Sequence, residues 1–486
     1  MNAAAIDYND IQGLVRYAHG HLTEAHFLLL RVNDPAAARA WIGTLPITTA
    51  QPQVKHPDRA QQVAFTCDGL KALGVSSGII QQFSPEFIAG MAGEESRSRR
   101  LGDVGASAPA NWRWGGSGNV PHVLLMLYAQ PGKVDEWSRT ILGQALQAGL
   151  SLSQSLSTAQ SDGREPFGFR DGISQPELDW HLQRLVREKD QLTYSNLVAL
   201  GEFLLGYQNE YGQYTQRPVV DSDPGTLLLP ALDQPSRQDL GRNGTYLVFR
   251  QLQQDVRGFW QFVDRQADSN ATLRDKLAAA LVGRTREGLP LVSPYDPSND
   301  FTYATDKKGN SCPFGAHIRR ANPRTADLPD GTRGFISHLL RILGFCRDHV
   351  RTDAVASVRF HRLLRRGRKY GAALTPEQAL QREQDSEERG LHFICLNASI
   401  SRQFEFVQNA WIMGTKFNGL TNENDPLIGN RTSLSGVAAD TFSLPQEGEV
   451  RRRITGIPQF VTTRGGAYFF LPSLRAMRYL GIVNSP

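Results

Sequence analysis

The chain has 486 residues, 40% of them hydrophobic and 21% charged, with a formal net charge of +5 at pH 7. At ~150 residues per domain that length allows two to four domains, and the composition is that of a globular protein rather than a disordered or fibrous one. The mild basic excess has no long basic run behind it, which argues against nucleic-acid binding, and no apolar run approaches the ~20 residues that span a bilayer.

The opening MNAAAIDYNDIQGLVRYAHGH lacks the basic stretch followed by an apolar core of a secretory leader. AHFLLLRV at 25–32 predicts a strand, and DPAAARAWIGTL after it predicts a helix. The same layout returns three times: PHVLLMLYA at 121–129 leads into KVDEWSRTILGQAL, TYLVFRQL at 245–252 into QQDVRGFWQFVDR, and LHFICLNA at 391–398 into SISRQFEFVQNAWI. The runs are short and rich in β-branched and aromatic residues, as strands are. The stretches that follow space apolar residues by three and four, as in Phe259, Trp260 and Val263 or Phe404, Val407 and Trp411.

Two strand–helix pairs in each half predict an internal duplication. Each half is then an antiparallel sheet with helices on one face, an α+β arrangement. The polar, proline-containing region 180–240, around GEFLLGYQNEYGQ, reads as an insertion. It sets the expected boundary near residue 230, giving units 1–230 and 231–486.

Cys67, Cys312, Cys346 and Cys395 lie far apart with no CxxC pair. That pattern fits reduced thiols rather than a disulfide framework, so a soluble, cytoplasmic protein is expected. HExxH, paired CxxC, CxxCH, GxGxxG and GxxxxGKS patterns are all absent, which disfavours zinc, covalent haem attachment and nucleotide chemistry. Cys312, five residues before His317, reads as a buried thiol rather than a ligand.

Three stretches carry candidate chemistry. In FGAHIRRANPR at 314–324, small Gly315 and Ala316 would let a large flat ligand approach the backbone beside His317. Arg319, Arg320 and Arg324 would disfavour a protonated imidazole and suit an anionic partner such as haem propionates. In EPFGFRDGISQPEL at 165–178, Asp171 sits in a loop punctuated by Gly168 and Gly172. An Asp–Gly pair is a common turn, and it also presents a carboxylate that could move a peroxide proton. In FHRLLRRGRKYG at 360–371, one arginine could stabilise developing negative charge. The residues alone leave both Arg365 and Arg366 open, and the cluster reads equally as a basic helix end.

Taken together in this order, the three stretches resemble the dye-decolorising peroxidases. Gly168 to Gly172 match that family's GxxDG signature, GAHIRRANPR its proximal-histidine motif and LLRRGRKYG its distal-arginine segment. DIQGLVRYAHGHLTEAHFLLLRV and RGGAYFFLPSLRAMRYL resemble its two ends, so the likeness covers the whole chain.

The resemblance implies two ferredoxin-like modules in a dimeric α+β barrel-like arrangement, with non-covalent haem b held mainly by the second. It implies His317 as iron ligand, Asp171 as acid–base residue and Arg365 as charge stabiliser, with Gly168, Gly172, Arg320, Leu391 and Phe393 around the cofactor. Asp425, in NENDPLIG, is the candidate partner of the histidine's other nitrogen, and Tyr370 falls where some relatives carry a surface radical tyrosine. The partners implied are hydrogen peroxide and a dye-like or small-molecule reductant, with no nucleic acid and no membrane, in a monomer or homo-oligomer. The length and the lack of a leader point to a longer, cytoplasmic bacterial branch. A carboxylate, with an ordinary pKa near ~3.9, would favour mildly acidic turnover. The alternative is a haem-handling protein for storage, transfer or iron release, which needs no Asp171–Arg365 pair. A cofactor-free interaction protein is a third reading.

Overall fold

Along a strand, successive side chains face opposite ways, so an apolar run of seven or eight residues supplies two buried faces at once. The computed structural model of the chain uses its apolar runs in this way. It describes residues 6–53, 56–183, 195–221, 223, 225–293, 299–324, 358–381, 387–431, 436–446, 448 and 450–482, and Cys346 lies outside them.

In chain order the first half contains β1 (Glu24–Val32), α1 (Pro35–Ile42), β2 (Arg59–Phe65), α2 (Cys67–Ala72), β3 (Val123–Ala129), α3 (Val134–Gln147) and β4 (Leu150–Ser157). The second contains β5 (Thr245–Gln254), α4 (Val256–Gln266), α5 (Ala271–Val282), α6 (His317–Ala321), β6 (Leu364–Arg365), β7 (Arg368–Tyr370), β8 (Gly390–Asn397), β9 (Val461–Leu471) and α7 (Leu474–Ile482). Local chemistry sets the helix ends. Asp34 caps α1 by accepting from the N–H groups of Ala36 and Ala37, with Pro35 in the first turn, and Asn270 caps α5 from Leu273. The stretch after β8 is helical as expected, but it winds as π-helical turns, Ser401–Glu405 and Val407–Ile412.

Among the described residues the main sheet has nine strands in the order β6-β8-β5-β9-β2-β3-β1-β4, with β7 also on β8. Its pairings are antiparallel, with Leu28 opposite Leu125 in the first half and Phe249 opposite Ile394 in the second. A single register pair, Phe470 with Phe65, joins the halves. The fold is therefore α+β with a repeated strand layout. The barrel-like expectation needs correcting: the strand path ends at β4 and β6, and among the described residues no ladder joins those edges into a closed barrel.

The inner faces of the halves pack on each other instead. Phe27, Leu29, Leu124 and Met126 meet Leu247, Phe249, Ile394 and Phe469, and the Phe27 and Phe249 rings stand edge to face with centroids 5.6 Å apart. On the outer face of the first half, Leu28, Leu30, Val63, Phe65, Leu125 and Leu127 pack against α1, α2 and α3. Each such side chain contributes about 1.5–3 kcal/mol when fully buried. No helix among the described residues is long and apolar enough to cross a membrane.

Candidate active site

The outer face of the second half is not filled in this way. Register places Leu252 of β5 between Leu391 of β8 and Thr463 of β9, and Arg250 opposite Phe393. These residues, with Gln254 and Val461, line a cavity of about 250 Å³. His317 and Ile318 of α6, the loop carrying Asp171, and Arg365 of β6 form its other walls, and Phe404, Val407 and Ile412 of the π-helical turns complete it.

On one side, the His317 Nδ1 hydrogen-bonds the Asp425 Oδ2 at 2.8 Å. Asp425 is wholly buried, and its other oxygen accepts from the backbone N–H groups of Leu427 (2.9 Å) and Ile428 (3.0 Å). Burial alone would raise the Asp425 carboxyl, but the imidazole and the backbone N–H of Ile428 outweigh it and hold the group below its ordinary range. For His317 burial pulls downward and the Asp425 carboxylate pulls upward, with a net upward shift. With Nδ1 engaged, Nε2 is the nitrogen left to the cavity.

The expected influence of the neighbouring arginines on His317 is not what the structure shows, because each is turned to another task. Arg319 pairs with Asp306 at 2.8 Å and donates to the Cys312 carbonyl at 2.6 Å. Arg320 is fully buried and donates to the carbonyls of Gly315, Trp411, Gly414 and Glu423, so it lies off the cavity and is not placed to meet a cofactor. Arg324 donates to the carbonyls of Asn299 and Phe301. Gly315 also has a different reason to be small. A Cβ there would stand 2.2 Å from the Glu423 carboxylate and 3.0 Å from the Phe442 ring.

On the other side, the Asp171 Oδ1 accepts from the N–H of Gly172 at 2.6 Å and from Arg365 Nη1 at 3.0 Å. The loop reaches this shape through Gly168 and Gly172, whose φ of +95° and +77° are left-handed values that glycine adopts without strain. Gly172 lines the cavity; Gly168 lines a smaller one beside it. Strand alternation separates the two arginines that the sequence left open. Arg365 faces the cavity, its N–H fixed on Gln175 Oε1 at 2.9 Å, while Arg366 turns inward and donates to the carbonyls of Leu14 (2.7 Å) and Val15 (2.9 Å). The Asp171 and Arg365 side chains are 36% and 34% exposed, against 0% for Asp425, so one wall is open and the other sealed.

Tyr370 departs from the expected surface position. It is 8% exposed, stacks on His392 with ring centroids 4.5 Å apart, and donates to Glu388 at 3.0 Å. Strand pairing of β7 with β8 turns it inward. Cys312 is a buried thiol, pushed by burial up to about 12, and lies away from the cavity.

Two groups on the cavity wall escaped the sequence reading. Arg250 pairs with Asp103, a residue of the first half. Glu165, inside the stretch quoted for Asp171, accepts from Phe167, Phe169 and Gln254. Its position four residues before Phe169, in a glycine-punctuated turn, was the available signal.

The donor set suits haem. A buried carboxylate fixes the tautomer and orientation of an imidazole whose second nitrogen faces a largely apolar cavity, which is the arrangement that orients a metal-binding histidine. Arg365 and Arg284 add positive charge on the cavity wall for an anionic group.

No family model matches the chain. A dye-decolorizing peroxidase from Mycetinis scorodonius is 28% identical over 512 residues, spanning 98% of this chain and 88% of that protein. A multifunctional dye peroxidase from Amycolatopsis sp. is 29% identical over 506 residues, spanning 97% and 88%. Among solved structures, a DyP-type peroxidase from Auricularia auricula-judae superposes with a TM-score of 0.74 at 24% identity over 99% of this chain and 100% of that one. An ancestral D-type dye decolorizing peroxidase gives 0.72 at 26% identity over 98% and 99%. Likeness to the dye-decolorising peroxidases, in sequence and in fold, thus runs the full length of the chain.

Proposed function

We propose that the protein is a haem-dependent peroxidase that reduces hydrogen peroxide and oxidises dyes, phenolic compounds or similar donors in one-electron steps. The observation that carries this reading is one cavity with His317–Asp425 on one wall and Asp171–Arg365 on another. His317 Nε2 would hold the iron of a non-covalent haem b. Bound haem supplies the redox chemistry, exchanging electrons with peroxide and donor.

The protein's own groups handle position and protons. Asp171, held by the Gly172 N–H, takes a proton from one peroxide oxygen and returns it to the other. The fixed charge of Arg365 stabilises the anion that develops as the O–O bond breaks. Leu391 and Phe393 keep that side of the cavity apolar. A carrier for haem storage or iron release is not favoured, since it has no use for an acid–base group and a cation turned to the same cavity. A cytoplasmic setting in a bacterial branch belongs to the same proposal, supported by the full-length match to the Amycolatopsis enzyme and by the buried, unpaired Cys67, Cys312 and Cys395.

The test is dye oxidation by haem-reconstituted protein in D171N and R365L, both checked for retained haem. Turnover is expected to fall by about 10²–10⁴ in D171N, the usual worth of a positioned acid–base group. Parental turnover in both variants would sink the assignment.

A further inference from the structure

Reducing hydrogen peroxide to two waters takes up two electrons and two protons. Asp171 moves a proton from one peroxide oxygen to the other, which supplies none. When the donor gives up only an electron, both protons must enter from solvent, so the cavity needs a route for them.

Glu165 stands where such a route would run. It lines both the large cavity and the smaller one of about 130 Å³, which has room for several ordered waters. The smaller cavity is bounded on its outer side by Asp162, 56% exposed, and by Lys369, which it meets at 2.6 Å. We propose that Glu165 passes protons from the smaller cavity into the large one, a proton-transferring role beside that of Asp171. This rests on the peroxidase reading given above.

The surroundings of Glu165 suit a group that holds and gives up a proton. Its carboxyl accepts from the backbone N–H groups of Phe167 (3.0 Å) and Phe169 (2.9 Å) and from Gln254 Nε2 (3.0 Å), all neutral donors. Burial works against them and, with the Asp171 charge adding to it, pushes Glu165 up to about 7, so both forms are accessible near neutrality. The other charged groups around it are accounted for. On its own loop, Arg164 donates to the carbonyls of Gly168 and Arg286, both at 2.8 Å. Arg286, beyond α5, lies over the Trp260 ring, and on β7 Lys369 is taken by Asp162 while Tyr370 donates to Glu388. From α6, the His317 ring is engaged by Asp425.

The experiment uses the haem-reconstituted full chain with ferrocyanide, a donor that releases no proton on oxidation. Parental turnover should change near pH 7, and E165Q should lower it roughly tenfold or more and abolish that pH dependence. Ala373→Phe tests the route without touching the hydrogen bonds of Glu165. It fills the smaller cavity from an exposed wall position and should slow ferrocyanide turnover similarly.

Infrared titration gives a readout apart from activity. Protonated-carboxyl absorption that titrates near pH 7 is expected in the parent and in D171N from Glu165 and from the remote Glu202, and E165Q should lose the Glu165 band while keeping the one that E202Q removes. A parental pH profile in E165Q overturns the proposal. If E165Q does not fold, parental turnover in Ala373→Phe overturns it instead. A parent that does not turn over peroxide defeats the peroxidase reading, while the infrared band still reports whether Glu165 holds the proton.

Discussion

Along β1, β2 and β3 the outward positions are Leu28, Leu30, Val63, Phe65, Leu125 and Leu127, and three helices close over them. Along β5, β8 and β9 the corresponding face begins in the same way, with Tyr246, Val248 and Tyr468, and then changes to Arg250, Leu252, Gln254, Leu391, Phe393 and Thr463. The strand layout is common to both halves, and the contents of the outer face are not. The first half uses that face for core, and the second keeps it open and brings functional groups to it from the connections. His317 comes from the segment after α5, Asp425 from beyond the π-helical turns, and Asp171 from the link between the halves. A repeated strand layout thus carries one cavity of this kind among the described residues, because the connections bring His317, Asp425 and Asp171 to one copy of the sheet.

Four measurements bear on this contrast. His317→Ala should have the largest effect, abolishing the visible haem absorption on reconstitution while the melting temperature of the cofactor-free chain stays near the parent's. Undiminished haem binding would remove His317 from the site. Asp425→Asn follows, and should weaken haem binding by about 10–100-fold, as loss of a partner behind a metal-binding imidazole does. An unchanged dissociation constant would make Asp425 a loop fastener for Leu427 and Ile428 only.

The third prediction compares the halves directly. Leu125→Ala, in the filled face, should lower stability by about 2–5 kcal/mol and leave peroxide reactivity per folded molecule intact. Leu391→Ala, beside the cavity, should cost less than about 1.5 kcal/mol, since its side chain already borders open space, and should alter donor kinetics instead. Denaturant titration and steady-state assays would separate the two. Equal stability losses would erase the distinction.

The smallest effect concerns Glu202, which joins the region after β4 to the second half through Arg402 at 2.9 Å. Burial, opposed by Arg402 and the Glu210 N–H, pushes its carboxyl from 4.5 to about 7. The folded state therefore binds this proton more tightly than the unfolded chain. Its contribution to stability is full below pH 4.5 and is lost as pH rises through about 7. The melting temperature should fall between pH 5 and 8, and fall less in E202Q. Identical slopes would show that Glu202 is not a source of the pH dependence.

Much of the scaffold was legible because apolar runs and helical spacing are local signals. The four strand–helix pairs read from the sequence correspond to β1–α1, β3–α3, β5–α4 and β8 with its π-helical turns. β2, β4 and β9 were not read as strands, for identifiable reasons. β2 carries buried Gln61 and Gln62, and the Gln62 amide is satisfied by the Thr48 carbonyl, so it lacks an unbroken apolar run. β4, LSLSQSLS, is a polar edge strand, and β9 contains Gly465, which lies under the Trp114 indole.

In the site, His317, Asp171 and Arg365 sit in short motifs that survive as sequence. The His317–Asp425 contact spans 108 residues, and no spacing rule reaches that far. Arg320 was misread because a positive charge in sequence does not say who receives its hydrogens, and here four backbone carbonyls do. Sheet closure also depends on how two remote edges meet, which local patterning does not encode.

We propose that the open face of the second half activates peroxide between His317 and the Asp171–Arg365 pair. Rapid mixing of haem-reconstituted protein with one equivalent of peroxide, followed by visible absorption, tests it most directly. A fast spectral change is expected in the parent, reversed by adding a dye, and slowed at least ~10²-fold in D171N from the same starting spectrum. A parent spectrum that peroxide leaves unchanged would contradict it, and would mark the cavity as a place where haem is held rather than used.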